Sequence, residues 1–170
     1  MSVSPFRDAF DHHVWATLLL FDTCAELPRE QLMTFAPGTY GPILDTLRHI
    51  VAADSSYLYA LTDGAVALID EERMELPELR SLMERYGEDW SELLAQDPDP
   101  EAIVVRRRDD GSETHAPVGI RLAQAVHHGS DHRSQVCTAL TSLGLEPPSV
   151  DVWDYGLAAG RSVERYPSTS

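Results

Sequence analysis

Four segments of the chain repeat apolar residues at steps of three and four, and this periodicity limits the possible fold more than any other feature. Apolar residues at that spacing lie on one face of an α-helix, and such a face has to be buried against another element. The predicted helices cover residues 4–27, 40–64, 76–96 and 119–144, with proline- or glycine-containing segments between them. We therefore predict an all-α fold built on a four-helix bundle.

Residues 103–118 interrupt this helical pattern. Short β-favouring runs flank Asp110-Gly111, a dipeptide typical of tight hairpin turns. We predict a small β-hairpin or extended loop here, before the last bundle helix. The tail beyond Gly144 is expected to add a short helix that covers one end of the bundle. The length of 170 residues suits one domain, so residues 1–170 are interpreted as a single domain.

The charge balance argues against nucleic acids and membranes as partners. The formal net charge of −15 repels phosphate backbones and anionic lipid headgroups, so either partner would need a local basic patch. The one candidate patch is Arg106-Arg107-Arg108, which is followed directly by Asp109-Asp110. We interpret this run as a solvated turn rather than a nucleic-acid footprint.

The sequence indicates neither a signal peptide nor a membrane anchor. The apolar run at 14–21 is far shorter than a membrane span, and Asp8 and Asp11 precede it. Cys24 and Cys137 show no paired spacing, so we expect each to pack as a small hydrophobe in a reducing compartment. Their spacing leaves open that one is reactive or that they pair. The expected location is the cytoplasm.

Two histidines of the last predicted helix, His128 and His132, have the spacing of metal ligands. Residues four apart on a helix lie one turn above another on the same face, so both imidazoles can reach one ion. Histidines at this spacing are also found on helix surfaces and, hydrogen-bonded, in cores. A zinc protease would need Glu directly after the first histidine, and Gly129 stands there instead.

His49 strengthens the metal interpretation because it lies in the apolar run LRHIVAA of the second predicted helix. A buried histidine needs a hydrogen-bond partner to offset its desolvation, and a ligand role also meets that need. With His128 and His132 it could form an open three-nitrogen site that keeps one position for water, an arrangement associated with catalytic metals. An ordinary bundle without an ion is the alternative.

These residues also resemble a known family. Four segments are similar to the DinB/YfiT-like family of metal-binding four-helix bundles, namely FDHHVWATLLLFDTCAELP, TLRHIVAAD, HGSDHRSQV and ALTSLGLEPPSVDVWDY. The resemblance implies a divalent metal held by three histidines, which fall on His49, His128 and His132. Arg133-Ser134-Gln135 stands where the family has Arg-Gly-Gln, and this departure leaves the ligands unaffected.

Neighbouring polar residues receive lesser roles. Adjacent helical residues point about a quarter turn apart, so His127 is expected outside the first coordination shell. His13 could reach the pocket as a fourth ligand or orient a ligand, and it could equally be a plain helix-face histidine. Asp54 is predicted to be a partly buried polar residue or part of a solvated edge. Arg133 and Gln135 are expected to brace neighbouring helices rather than touch substrate.

Two functions of different classes fit this site. The resemblance implies a metal-dependent transferase or isomerase, in which the ion holds a low-molecular-weight thiol as thiolate for attack on a small electrophile. The alternative is a non-catalytic, stress-associated metal-binding or interaction protein whose ion ties the second helix to the fourth. Three imidazoles suit zinc, nickel, iron or copper, and we expect zinc first and nickel second. A homodimer is expected, because small bundles often bury leftover apolar surface against a symmetric partner.

Overall fold

Four long helices form the body of the fold in the computed structural model, which describes residues 6–165. The helices, in chain order, are α1 (Arg7–Ala25), α2 (Arg29–Leu32), α3 (Ile43–Leu61), α4 (Leu76–Ala95), α5 (Val118–Ser142) and α6 (Val152–Ala158). α1 packs against α4 and α5, and α3 packs against the same two helices. The four long helices therefore close a ring around one core, as the apolar stripes predicted.

The core is filled by the apolar stripes of all four long helices. Its largest fully buried apolar side chains are Phe10, Leu20, Phe21, Ile43, Leu44, Leu47, Ile50, Leu58, Leu79, Met83 and Trp90.

Local signals set where the helices begin. Pro42 and Pro117 directly precede α3 and α5, and Glu75 and Glu78 form a reciprocal capping box at the start of α4.

The predicted hairpin is present and packs against the bundle. Strands β1 (Ile103–Arg107) and β2 (Glu113–Pro117) pair antiparallel, and Gly111 takes a φ of +81° in the turn between them. β2 leads into α5 without a loop, and the two strands contact α3 and α5. The hairpin therefore covers the end of the α3–α5 pair.

Smaller differences concern the connections. Two short elements were missed from the sequence, α2 and a 3-10 turn at Glu71–Arg73, because neither is long enough to show a periodic apolar face. The tail forms α6 against α1, and the His12 ring donates to the Val150 carbonyl oxygen at 2.8 Å. Residues 4–5 of the first predicted helix and 166–170 of the tail lie outside the described residues.

Both cysteines are free thiols, so they do not pair with each other. Burial raises the pKa of the Cys24 thiol to about 12 and also raises the pKa of Cys137. Neither side chain therefore has the low pKa that makes a thiol reactive.

Among residues 6–165, no helix combines the length and the apolar character that crossing a bilayer requires.

Candidate metal centre

Three imidazoles converge where α3 faces α5. His49 comes from α3, and His128 and His132 come from successive turns of α5. Each ring offers one nitrogen, and these three atoms all lie within 4.8 Å of one another. The ring centroids of His49 and His128 are 4.9 Å apart, and those of His128 and His132 are 4.4 Å apart. All three rings are half-buried, so they form a small nitrogen-lined site at the bundle surface.

The donor set has the chemistry of a divalent metal site. His49 Nε2 and His128 Nε2 face each other at 3.0 Å. Zinc–nitrogen bonds of about 2.0–2.1 Å in a tetrahedron place two ligand nitrogens about 3.3 Å apart, close to this separation. Within the described chain, no further histidine, cysteine or carboxylate belongs to the cluster. The residues therefore fit an ion with three protein ligands and at least one position left for another molecule.

Two contacts fix the direction of the imidazoles. The Gln135 side-chain oxygen accepts a hydrogen bond from His132 Nδ1 at 3.2 Å and another from the Tyr40 backbone N–H at 2.7 Å. With Nδ1 donating, Nε2 of His132 is the nitrogen that carries the free lone pair. The Tyr40 ring stacks on the His49 ring, with centroids 4.2 Å apart and planes 13° apart. Tyr40 thus covers the outer side of the cluster.

The site favours the neutral imidazoles that a metal requires. Burial, reinforced by the neighbouring His132 and His49, lowers the pKa of His128 to about 4. Burial also lowers the pKa of His49 below its ordinary value, followed by the effect of His132. His49 and His128 are therefore uncharged near pH 7, so neither ring would have to lose a positive charge before binding a metal.

A cavity adjoins the histidine cluster on the His49 side. Its volume is about 490 Å³, and its walls include Tyr40 and His49 together with Asp45, Arg48 and the acidic pair Glu71-Glu72. Small-molecule sites usually occupy about 300–1,000 Å³, so a molecule of modest size could reach the cluster from this side. Sequence reasoning missed Tyr40 and Glu71. Tyr40 falls in the second predicted helix without a role, whereas α3 begins only at Ile43, and Glu71 lies in a connection, which carries no periodic signal.

The remaining polar residues divide into exposed and buried groups. His127 points away from the cluster, with a side chain 75% exposed and its Nδ1 3.7 Å from Asp131 Oδ1. His13 is fully buried and does not join the three histidines, because its Nε2 donates to Asp54 Oδ2 at 2.8 Å. The prediction that Asp54 is partly buried or on a solvated edge was wrong, since this residue is only 1% exposed.

Arg133 completes a buried polar network with these two residues. Its Nη1 donates to His13 Nδ1 at 2.8 Å and to the Thr17 hydroxyl at 3.2 Å, which joins α5 to α1 as predicted for a bracing residue. The close approach depends on Gly129, where a Cβ would lie 2.3 Å from His13 Cε1. Asp54 and Arg133 thus contact opposite nitrogens of the His13 imidazole.

Gln135 differs from its prediction because it contacts a candidate ligand as well as a neighbouring segment. The only signal in the sequence was its spacing, three residues after His132, which places both side chains on one helix face. Its second contact, to Tyr40, joins residues 95 apart and has no local signature.

Comparison with known proteins agrees with this architecture. None of the curated proteins matches the chain. The DinB family, a helical bundle fold, matches residues 1–165, which is nearly the whole chain. The four-helix ring, the hairpin before the last long helix and the histidine cluster are consistent with that match. The chain therefore belongs to the DinB family.

Proposed function

We propose that this protein binds a divalent metal ion through His49, His128 and His132. The observation that carries the proposal is the convergence of three imidazole nitrogens within 4.8 Å from two packed helices. The lowered pKa values of His49 and His128 support it, because metals bind the unprotonated ring. Gln135 and Tyr40 support it further, since oriented imidazoles are typical of metal sites.

We further propose that the site is catalytic, of the thiol-dependent transferase or isomerase type. A bound ion of this kind lowers the pKa of a water or thiol and so supplies a nucleophile near neutral pH. A low-molecular-weight thiol and a small electrophile are the proposed substrates, and the family resemblance suggests this chemistry. The cavity beside His49 offers room for them, and Tyr40 shields one side of the cluster from water.

The alternative is a non-catalytic metal-binding or interaction protein. The direct contact between His49 and His128 favours it, because an ion held there would tie α3 to α5. The two functions differ in what occupies the coordination position that no histidine fills. Exchangeable water and binding of a small thiol at that position favour catalysis, whereas a closed coordination shell favours the structural role.

Metal analysis of protein purified without an affinity tag is the first test. We expect about one divalent ion per chain, because the three histidines form one site. Zinc is expected first and nickel second in protein from unsupplemented cells. Elemental analysis by mass spectrometry measures both the amount and the identity. A preparation with neither metal would overturn the ranking, and one that also fails to take up either metal on addition would overturn the site.

We also propose that the protein forms a homodimer. Apolar side chains on α6 support this proposal, since Val152 and Trp153 are 58% and 76% exposed. Light scattering at micromolar concentration is expected to give the mass of two chains. The mass of one chain at that concentration would count against the dimer.

A further inference from the structure

Three arginines of this acidic protein line a second cavity, which shares no lining residue with the one beside His49. Its volume is about 220 Å³, and it lies between the hairpin and the α3–α5 pair. Arg106 and Arg108 come from β1 and the turn that follows it, Arg121 comes from α5, and Tyr57 comes from α3. A cluster of cations stands out in a chain with a formal net charge of −15.

Arg121 is the innermost of these cations. It is 7% exposed, and its Nη2 donates to the carbonyl oxygens of Val104 and Thr114 at 3.0 and 2.9 Å. These two bonds hold the hairpin against α5, but both use Nη2, which is only one of the three guanidinium nitrogens. Its Nε is buried and has no hydrogen-bond partner. A buried cation with unused donors is costly unless an anion accompanies it.

No carboxylate among residues 6–165 forms an ion pair with Arg106, Arg108 or Arg121. The guanidinium of Arg108 donates to the hydroxyl groups of Ser112 and Thr114, at 3.2 and 2.9 Å. The residue between Arg106 and Arg108 behaves differently, since Arg107 points to the other face of β1 and pairs with Glu113 at 2.7 Å. Burial and the charges of Arg106 and Arg108 hold the pKa of Arg121 below its ordinary value.

We propose that this arginine cavity binds a small molecule through a phosphate or carboxylate group. Guanidinium groups match the planar or forked oxygen geometry of these anions, and three of them surround one space. A bound oxyanion would offset the mutual repulsion of the arginines and the desolvation of Arg121. The arginine run, which in isolation indicates a solvated turn, therefore has two of its members facing a cavity.

The cavity is close to the histidine cluster. Gln124 lines it and precedes His128 by one helical turn, a rise of about 6 Å along α5. Tyr57 also lines the cavity, and its ring centroid lies 6.1 Å from that of His128. We infer that the bound anion belongs to a molecule that reacts at the histidines. This second step rests on the proposed metal-dependent function, whereas anion binding itself does not.

Titration of metal-free protein with inorganic phosphate and, separately, with malonate tests the anion site. Both titrations are followed by ¹H–¹⁵N NMR at constant ionic strength, with chloride as the balancing ion. We expect saturable shifts in residues 104–108 and 114–124 and in the Nε–H signal of Arg121. Saturation by phosphate alone assigns a phosphate group, saturation by malonate alone assigns a carboxylate, and saturation by both assigns a general oxyanion site.

Arg106→Gln and Arg107→Gln form a matched pair of variants, since each removes one charge from neighbouring positions of β1. Arg106→Gln is expected to raise the Kd of the bound probe about tenfold, because one charge-assisted contact is lost. Arg107→Gln is expected to change it less than about twofold, since that side chain faces away from the cavity. Absence of saturation with both probes, or equal weakening by the two variants, would overturn the proposal. Metal uptake, measured separately, is not affected by either result.

Discussion

Replacing His49, His128 or His132 by alanine is expected to abolish tight binding of a divalent metal or to weaken it at least about 100-fold. Each variant removes one of three imidazole nitrogens that lie within 4.8 Å of one another, and two remaining ligands hold an ion poorly. His127→Ala is expected to keep the stoichiometry and affinity almost unchanged, because its ring is exposed and paired with Asp131.

Titration of the four variants with zinc and with nickel, by calorimetry or by competition with a coloured chelator, measures this difference. His127→Ala is the matched control, since it removes an imidazole from the same turn of α5 as His128. Circular dichroism of each metal-free variant checks that the helices are intact. Loss of the ion in His127→Ala with retention in His128→Ala would place the site on the other face of α5 and would refute the assignment.

The fold could be predicted from the sequence because helix formation and burial both depend on the spacing of nearby residues. Apolar residues at three- and four-residue steps marked all four long helices, and Asp110-Gly111 marked the hairpin turn. The i, i+4 spacing placed His128 beside His132 for the same reason. The proximity of His49 to His128 and His132 depends on the packing of α3 against α5, which spacing within one helix cannot reveal. The resemblance to a family indicated this proximity before the structure did.

The parts that sequence reasoning missed depend on contacts between distant segments. Tyr40 lies in a connection, yet it stacks on His49 and hydrogen-bonds Gln135. The arginine cavity forms because the hairpin folds back on α3 and α5. Successive side chains of a strand point to opposite faces, so Arg106 faces the cavity and Arg107 faces away from it. Composition alone cannot distinguish an arginine that faces a cavity from one that faces solvent.

Asp54 shows a signal that the sequence contained and that was misread. It continues the apolar stripe of α3, seven residues after Leu47 and four before Leu58, both of which are fully buried. A carboxylate at such a position has to be paired inside the protein, because burial of an isolated charge is very costly. Its partner, His13, is 41 residues away and could not be identified from spacing.

Asp54→Ala is expected to lower the free energy of unfolding by about 3–5 kcal/mol, the typical cost of leaving a buried charge without its counter-charge. It would leave His13 without its acceptor and Arg133, whose pKa burial lowers to about 10, as a buried cation without a nearby anion. In a domain of this size the corresponding loss in Tm is roughly 6–20 °C. Urea denaturation and thermal unfolding of the metal-free protein measure both quantities.

Two further variants separate the buried charge from side effects of the substitution. Asp131→Ala also removes an aspartate paired with a histidine, but this pair is exposed, so we expect a change below about 0.5 kcal/mol. Asp54→Asn keeps an oxygen that can accept from His13 Nε2 and removes only the charge, so its destabilisation should be smaller than that of Asp54→Ala. If Asp54→Ala and Asp131→Ala have equal effects, the buried network does not stabilise the bundle. If Asp54→Asn is as stable as the unaltered protein, the hydrogen bond to His13 stabilises the bundle and the negative charge of Asp54 does not.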